Sequence, residues 1–406
     1  MTNWSNSFTH RLQSVSYYDE MKTTAERKPV EPKPDGDAGI AAASDAASQG
    51  ATQSAPPAAV EPVFDLRRVP FPQEYSDGAR NAVATCLGIE AGEKVTLITD
   101  DACLQIAASL AAELDSVGCD WNAFVLEAYA PRPLANMPGA VLEDMETSHA
   151  SIFAVEVQPD ESHSRMQMTD IVNRRRMRHA HMVNITGEIM TQGMRVDFNE
   201  IERISETVLE RVRTASYIRA TTPAGTDIHV QLSPAHRWFK TSGIIRPGRW
   251  GNLPGGECFT SPGEVNGVFV VDGVAGDFLC KRYGILRSNP LTISIEDNRI
   301  ARVRCDNKEL ERDFWAYTHT DDNSDRVGEI AIGTNVGVEH VIGNMLQDEK
   351  LPGIHIAFGD PYGAQTGAQW KSATHLDVVG LDFSIWLGDA NGEEQIMHEG
   401  EFTLDS

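Results

Sequence analysis

Glu93-Lys94-Val95-Thr96-Leu97-Ile98-Thr99 is the stretch on which the reading of the fold turns. From Val95 on it is apolar or β-branched without alternation, the pattern of a strand covered on both faces. Behind it, residues 101–117 set Ile106, Leu110, Ala111 and Leu114 on one helical face, and residues 120–127 return to strand character. Residues 150–157 and 181–185 repeat the strand pattern, with helical stretches between. Strands alternating with helices predict a layered α/β, Rossmann-like domain with a mainly parallel sheet over residues 64–215. The amphipathic run 199–215, with Ile201, Ile204, Val208, Leu209 and Val212 on one face, is expected to close that domain.

After Ser216 the pattern changes. Residues 217–222 and 227–232 read as two strands joined by Pro223-Ala224-Gly225-Thr226. Residues 267–274, 291–296 and 300–305 read as further strands, and 309–314 as a short helix. Residues 216–406 are therefore expected to form a second, β-rich α+β domain. Residues 1–63 differ from both. Between Thr24 and Pro62 the chain is Ala, Pro, Ser, Gly, Gln and charge, with too few large apolar side chains to offset ordering entropy. A disordered extension is expected there. Trp4, Phe8, Leu12 and Val15 have helical spacing, so a short docking helix on a tether is the sharper alternative.

The totals exclude several classes. A formal net charge of -24 argues against binding nucleic acid or anionic membrane through bulk charge. No apolar run approaches the ~20 residues of a membrane span, and no basic-then-apolar leader opens the chain, so no membrane or secretory role is expected. Cys86, Cys103, Cys119, Cys258, Cys280 and Cys305 are scattered without a C-x-x-C pair, which suits reduced thiols in a cytoplasmic protein. There is no G-x-G-x-x-G after a strand and no Walker sequence to hold a nucleotide.

Acids and histidines recur inside runs that otherwise look buried. Glu257 follows Asn252-Leu253-Pro254-Gly255-Gly256, Glu329 stands in Gly328-Glu329-Ile330-Ala331-Ile332-Gly333, and His355 alternates with apolar neighbours in Gly353-Ile354-His355-Ile356-Ala357. In His375-Leu376-Asp377 the polar residues are i and i+2, so on a strand both face the same side. Buried carboxylates need a counter-charge, and two Glu, two His and one Asp suit one or two divalent metals (Zn, Mn or Co, with Fe(II) as the alternative). A lone His in an apolar strand is more often a hydrogen-bonded core residue, and spacing alone leaves both readings open. Tyr362 and Trp370 lie in a Gly-rich stretch expected to be a loop, where Tyr362 either packs or hydrogen-bonds a reacting oxygen. Arg246-Pro247-Gly248-Arg249-Trp250 reads either as a substrate wall or as a surface turn with Trp250 packed on the core. The basic run 174–179 reads as a solvated helix face or a subunit contact, with a substrate-carboxylate clamp as the sharper alternative, and Asp348-Glu349-Lys350 as the cap or flank of a helix end.

In order and number, residues 251–262, 328–335, 353–359 and 372–377 resemble the aminopeptidase T (leucyl aminopeptidase) metallopeptidases. That family's elements are N-x-P-x-G-E-x-F-T-x-P, G-E-x-A-L-G-x-N, H-x-A-x-G and a final H-x-D. Residues 221–227 resemble its domain-junction element, and the resemblance spans roughly residues 64–402. It implies metal ligands at Glu257, Glu329, His355, His375 and Asp377, with Glu257 and Tyr362 as catalytic residues. It also implies a homo-oligomer that hydrolyses an amide or N-terminal peptide bond in a peptide or small molecule with metal-activated water. The chain is similar, too, to 2,5-dihydroxypyridine 5,6-dioxygenase, through Arg246 to Trp250, Pro254, Phe259-Thr260, Pro262 and His375-Leu376-Asp377. That likeness implies Fe(II)-dependent cleavage of a hydroxylated pyridine or aromatic acid, with Arg246, Arg249 and Trp250 binding an anionic aromatic substrate. The dioxygenase pattern has a His where Glu329 stands and no counterpart of His355, so the hydrolase set is the complete one.

Overall fold

A computed structural model describes residues 65–404. The expected extension over residues 1–63, with its helical spacing at Trp4, Phe8, Leu12 and Val15, lies outside them.

The described chain is a mixed α/β structure with three sheets. Its strands in order are β1 (Lys94–Thr99), β2 (Asp120–Val125), β3 (Ala150–Val155), β4 (Arg178–Val183), β5 (Tyr217–Thr221), β6 (Asp227–Gln231), β7 (Phe239–Thr241), β8 (Trp250–Asn252) and β9 (Glu257–Thr260). They continue as β10 (Glu264–Val271), β11 (Leu291–Glu296), β12 (Arg299–Arg304), β13 (Val327–Gly333), β14 (Gly353–Gly359), β15 (His375–Val379), β16 (Ser384–Asp389), β17 (Gly392–His398) and β18 (Glu401–Phe402).

The first sheet runs β2-β1-β3-β4-β8 and is parallel throughout. β1 and β3 are almost wholly buried, as their unbroken apolar runs require. β8 comes from beyond residue 216 yet adds to this sheet's edge beside β4, a pairing that no periodicity announces. The second sheet, β12-β11-β10-β6-β5-β16-β17-β18, and the third, β15-β14-β13-β9-β7, are antiparallel. The β5–β6 hairpin buries every other residue, as one-sided strands do.

The second and third sheets share one apolar core. It takes Ile218, Val230, Phe269 and Ile385 from one and Cys258, Ile330, Ile332, Ile354, Ile356, Phe358, Leu376 and Val378 from the other. The helix Phe198–Thr214 belongs to both cores. Phe198 and Ile201 pack with the first sheet, while Ile204, Val208, Leu209 and Val212 pack with the second and third. It therefore packs against both apolar clusters rather than against the first alone. None of the six cysteines forms a disulfide, and five are buried. Among the described residues no helix is long and apolar enough to cross a membrane.

Candidate metal centre

Alternation along the third sheet separates core from chemistry. Ile330, Ile332, Ile354, Ile356, Leu376 and Val378 point into the shared core, so their odd-numbered neighbours face the other side. Register then aligns those neighbours. Gly333 pairs with Glu257, Glu329 with Ala357, Ala331 with His355, Ala357 with Asp377 and Gly359 with His375. Glu257, Glu329, His355, His375 and Asp377 thus converge from four adjacent strands on one face.

That face is covered. Glu257, Glu329, His355 and His375 are buried, and Asp377 is nearly so. The connection between β13 and β14 hydrogen-bonds to residues that follow β4 and to the turn before β9. Asn335 Nδ2 donates to the Gly193 and Gly255 carbonyls, Gly193 N–H donates to Gln347 Oε1, and Asn344 Nδ2 donates to the Asn184 carbonyl. The Pro-Gly-Gly turn before Glu257 permits this closeness. Gly256 has φ +130, and a Cβ there would lie 2.6 Å from that of Asn335.

The distances describe a compact donor cluster. His355 Nε2 lies 3.6 Å from Glu257 Oε2 and 3.5 Å from Glu329 Oε1. His375 Nε2 lies 3.8 Å from Glu329 Oε2 and 3.2 Å from Asp377 Oδ1. The His375 ring is oriented from behind, because its Nδ1 donates to the Asp360 carbonyl at 2.9 Å, leaving Nε2 for the cluster. Tyr362 follows in a left-handed conformation (φ 49) and brings its buried ring to 4.2 Å from that of His375.

Two residues read as a helix flank are part of the site. Beyond the short helix Met345–Asp348, Lys350 turns inward with its side chain 1% exposed. Its Nζ lies 2.7 Å from Glu257 Oε1 and 2.6 Å from Glu349 Oε1. Asp348 caps the loop, accepting from the Ile342, Gly343 and Asn344 amides. An acidic-basic pair after a short helix carries no sequence signal of inward orientation, so spacing gives only a helix flank there.

Arg246 and Arg249 precede β8, and Trp250 opens it at the edge of the first sheet. Both arginines are exposed, and Trp250 sets its ring edge against His181 and His179 at 5.5 and 6.5 Å. The basic run is divided among separate tasks. Arg174 pairs with Glu146, Arg178 pairs with Glu93, and His179 is buried against Ser151.

The electrostatics fit a cation. Burial works to raise the Glu257 carboxyl, but the Lys350 ammonium and His355 outweigh it and hold it below the usual range. Burial raises Glu329, only partly offset by His355 and His375. For His355 and His375 burial is outweighed by the surrounding carboxylates, which push both up to about 9. Among the described residues Glu329 Oε2 is buried with no hydrogen-bond donor. Among them, too, two donor sets have their atoms within 4.8 Å of one another, namely Glu257–Glu329–His355 and Glu349–His355–Asp377. Imidazole nitrogens with carboxylates suit Zn, Mn, Co or Fe(II).

A pH dependence follows. Protons and metal compete for the same Nε2 atoms, and the proton holds them below about pH 9. Apparent metal affinity should therefore rise between pH 6 and pH 9, by about tenfold per unit for each proton displaced. Calorimetric Mn²⁺ titrations at three pH values would show this; a flat profile would mean that these histidines are not ligands.

A cavity of about 410 Å³ lies beyond the carboxyl ends of β1, β3 and β4, lined by Cys103, Glu156, Asn184, Asp277 and Asn344 among others. Burial raises the Asp277 carboxyl and Asp377 adds to it against the opposing Lys281 charge, and the cavity's lining includes none of the five converging residues. A larger one of about 790 Å³, lined by residues such as Arg203, Val338 and Phe402, likewise includes none of those five.

Comparison with known proteins bears on the same elements. The structure of wild-type AmpT from Thermus thermophilus is similar, with a TM-score of 0.60 and 17% identity, covering 82% of this chain and 99% of that one. The structure of 2,5-dihydroxypyridine dioxygenase from Pseudomonas putida KT2440 is similar as well, with a TM-score of 0.56, 16% identity, and coverage of 82% and 97%. At such identities the likeness is one of fold. Comparison with curated protein sequences gives no match. The profile of the thermophilic metalloprotease (M29) family matches residues 196–402, which hold all five converging acids and histidines, and the chain belongs to that family.

Proposed function

We propose that this metallopeptidase is an aminopeptidase that holds its metal through Glu257, Glu329, His355, His375 and Asp377. The observation that carries the reading is the convergence of these five residues on one covered sheet face. A divalent ion bound there supplies a Lewis acid for the scissile carbonyl and a water acidified toward neutrality. The chain's own groups do the rest. Glu257 Oε1 is tied to Lys350 and to the Thr241 hydroxyl, which leaves Oε2 turned toward His355. Asp360 fixes the His375 tautomer. Tyr362, whose ring lies beside that of His375, offers its hydroxyl as a donor for a developing oxyanion. The cavity ending at Asp277 offers carboxylates to a substrate's free α-ammonium group.

We also read the chain as two units, each with its own apolar core, and as a cytoplasmic homo-oligomer. Sedimentation would test the assembly.

The test pairs metal content with turnover. Purified protein should carry Zn, Mn or Co and release the chromophore from aminoacyl p-nitroanilides, and N-acetylation of those substrates should abolish the reaction. Equal rates on blocked substrates would overturn the aminopeptidase specificity. Iron with oxygen uptake on hydroxypyridines would instead support ring cleavage.

A further inference from the structure

The two donor sets invite the idea of two ions, and Lys350 argues against it. The sets share His355, so they cannot both be filled independently. The second depends on Glu349, whose Oε1 lies 2.6 Å from Lys350 Nζ. A carboxylate that gives one oxygen to each of two ions needs both, yet Glu257 Oε1 lies 2.7 Å from the same ammonium and accepts from Thr241 at 2.8 Å. The ammonium therefore holds the two carboxylate oxygens that a second ion would need. An ion placed on either oxygen would meet a fixed like charge at close range in a buried setting. By contrast, Glu257 Oε2, both oxygens of Glu329 and the Nε2 atoms of both histidines face one another at 3.5 to 3.8 Å. One complete set of donors remains.

We infer that this centre takes a single divalent ion, and that Lys350 Nζ stands where a second ion would bind and supplies its positive charge. Lys350 is then a positioning residue. It orients Glu257 toward the remaining ion and compensates Glu349, a buried carboxylate that would otherwise demand a cation. The inference rests on the metal-dependent reading of the site.

Stoichiometry tests it without reference to turnover. Metal-free full-length protein is titrated with Mn²⁺, and bound metal is counted by plasma mass spectrometry after gel filtration and characterised by electron paramagnetic resonance. The wild type should bind one Mn²⁺ per chain and give the six-line spectrum of an isolated ion. Lys350→Met frees Glu257 and Glu349 and should bind a second Mn²⁺, with the coupled spectrum of a pair. Lys350→Arg should stay at one. Two ions in the wild type would overturn the inference while leaving the metallopeptidase reading intact. A folded Lys350→Met that stays at one ion would overturn it as well. No ion in the wild type would overturn both. If Lys350→Met does not fold, the wild-type count and spectrum decide alone.

Discussion

His355→Ala should strip the protein of its metal and lower kcat/KM by at least about 10²–10³-fold, the penalty for losing one preorganised electrostatic contact at a reacting centre. His355 is the residue of choice because it is common to both donor sets and its Nε2 lies between Glu257 and Glu329. No other side chain of β14 can take over, since that strand presents only Ala357 and Gly359 on the same face beyond it. A companion variant separates binding from chemistry. Tyr362→Phe removes one hydroxyl and none of the donors, so it should keep its metal while kcat falls and KM stays nearly constant. Metal analysis beside steady-state kinetics reads both. An alanine variant that retained stoichiometric metal and full turnover would remove His355 from the site.

The contrast between what was legible and what was not has a physical basis. β5 and β11 begin and end close to where alternation put them, because side-chain period is a local property. The polar residues of β13, β14 and β15 were visible for the same reason. Each interrupts a run whose even-numbered members pack in a core. That Glu257 and Glu329 are neighbours was not legible from spacing, because β9–β13 pairing is a long-range contact. Three features escaped altogether. β8 is three residues after an Arg-Pro-Gly turn, too short for any period, and its place beside β4 follows from tertiary packing. The helix Phe198–Thr214 displays one apolar face to the sequence reader, and only the fold divides it between two cores. Lys350 reads only as the flank of a helix end, and a lysine is almost always exposed. Its burial is set by Glu257 and Glu349, and Glu257 comes from a distant strand.

The largest stability effect should come from a residue outside the site. Arg132→Met is expected to destabilise the fold by about 3–5 kcal/mol, the range for removing one partner of a buried ion network. The Arg132 side chain is 2% exposed and is clasped between Asp100 at 2.6 Å and Glu161, which are themselves almost completely buried. Its Nη2 also donates to the Glu156 carbonyl at 2.9 Å. The network therefore binds together the segments leaving β1, β2 and β3. Those are the carboxyl ends of a parallel sheet, where α/β folds place their ligand crevices, and the 410 Å³ cavity opens there. Burial works to raise Glu161, and Arg132 outweighs it, so in the wild type this carboxyl is held below its usual range. Its contribution to stability is thus present above the unfolded-state pKa and is lost as pH falls through the lower folded value. In Arg132→Met the sign reverses. Burial without the guanidinium raises the Glu161 carboxyl, so the variant is penalised most near neutrality and the gap to wild type should narrow toward pH 5. An exposed ion pair gives the control. Arg67 meets Asp115 at 2.7 Å with both side chains well solvated, and Arg67→Met should change stability by no more than about 1 kcal/mol. Urea unfolding of the three proteins at pH 7.5 and pH 5 would measure both gaps. Equal, small losses for Arg132→Met and Arg67→Met would mean that the buried network does not hold the crevice in shape.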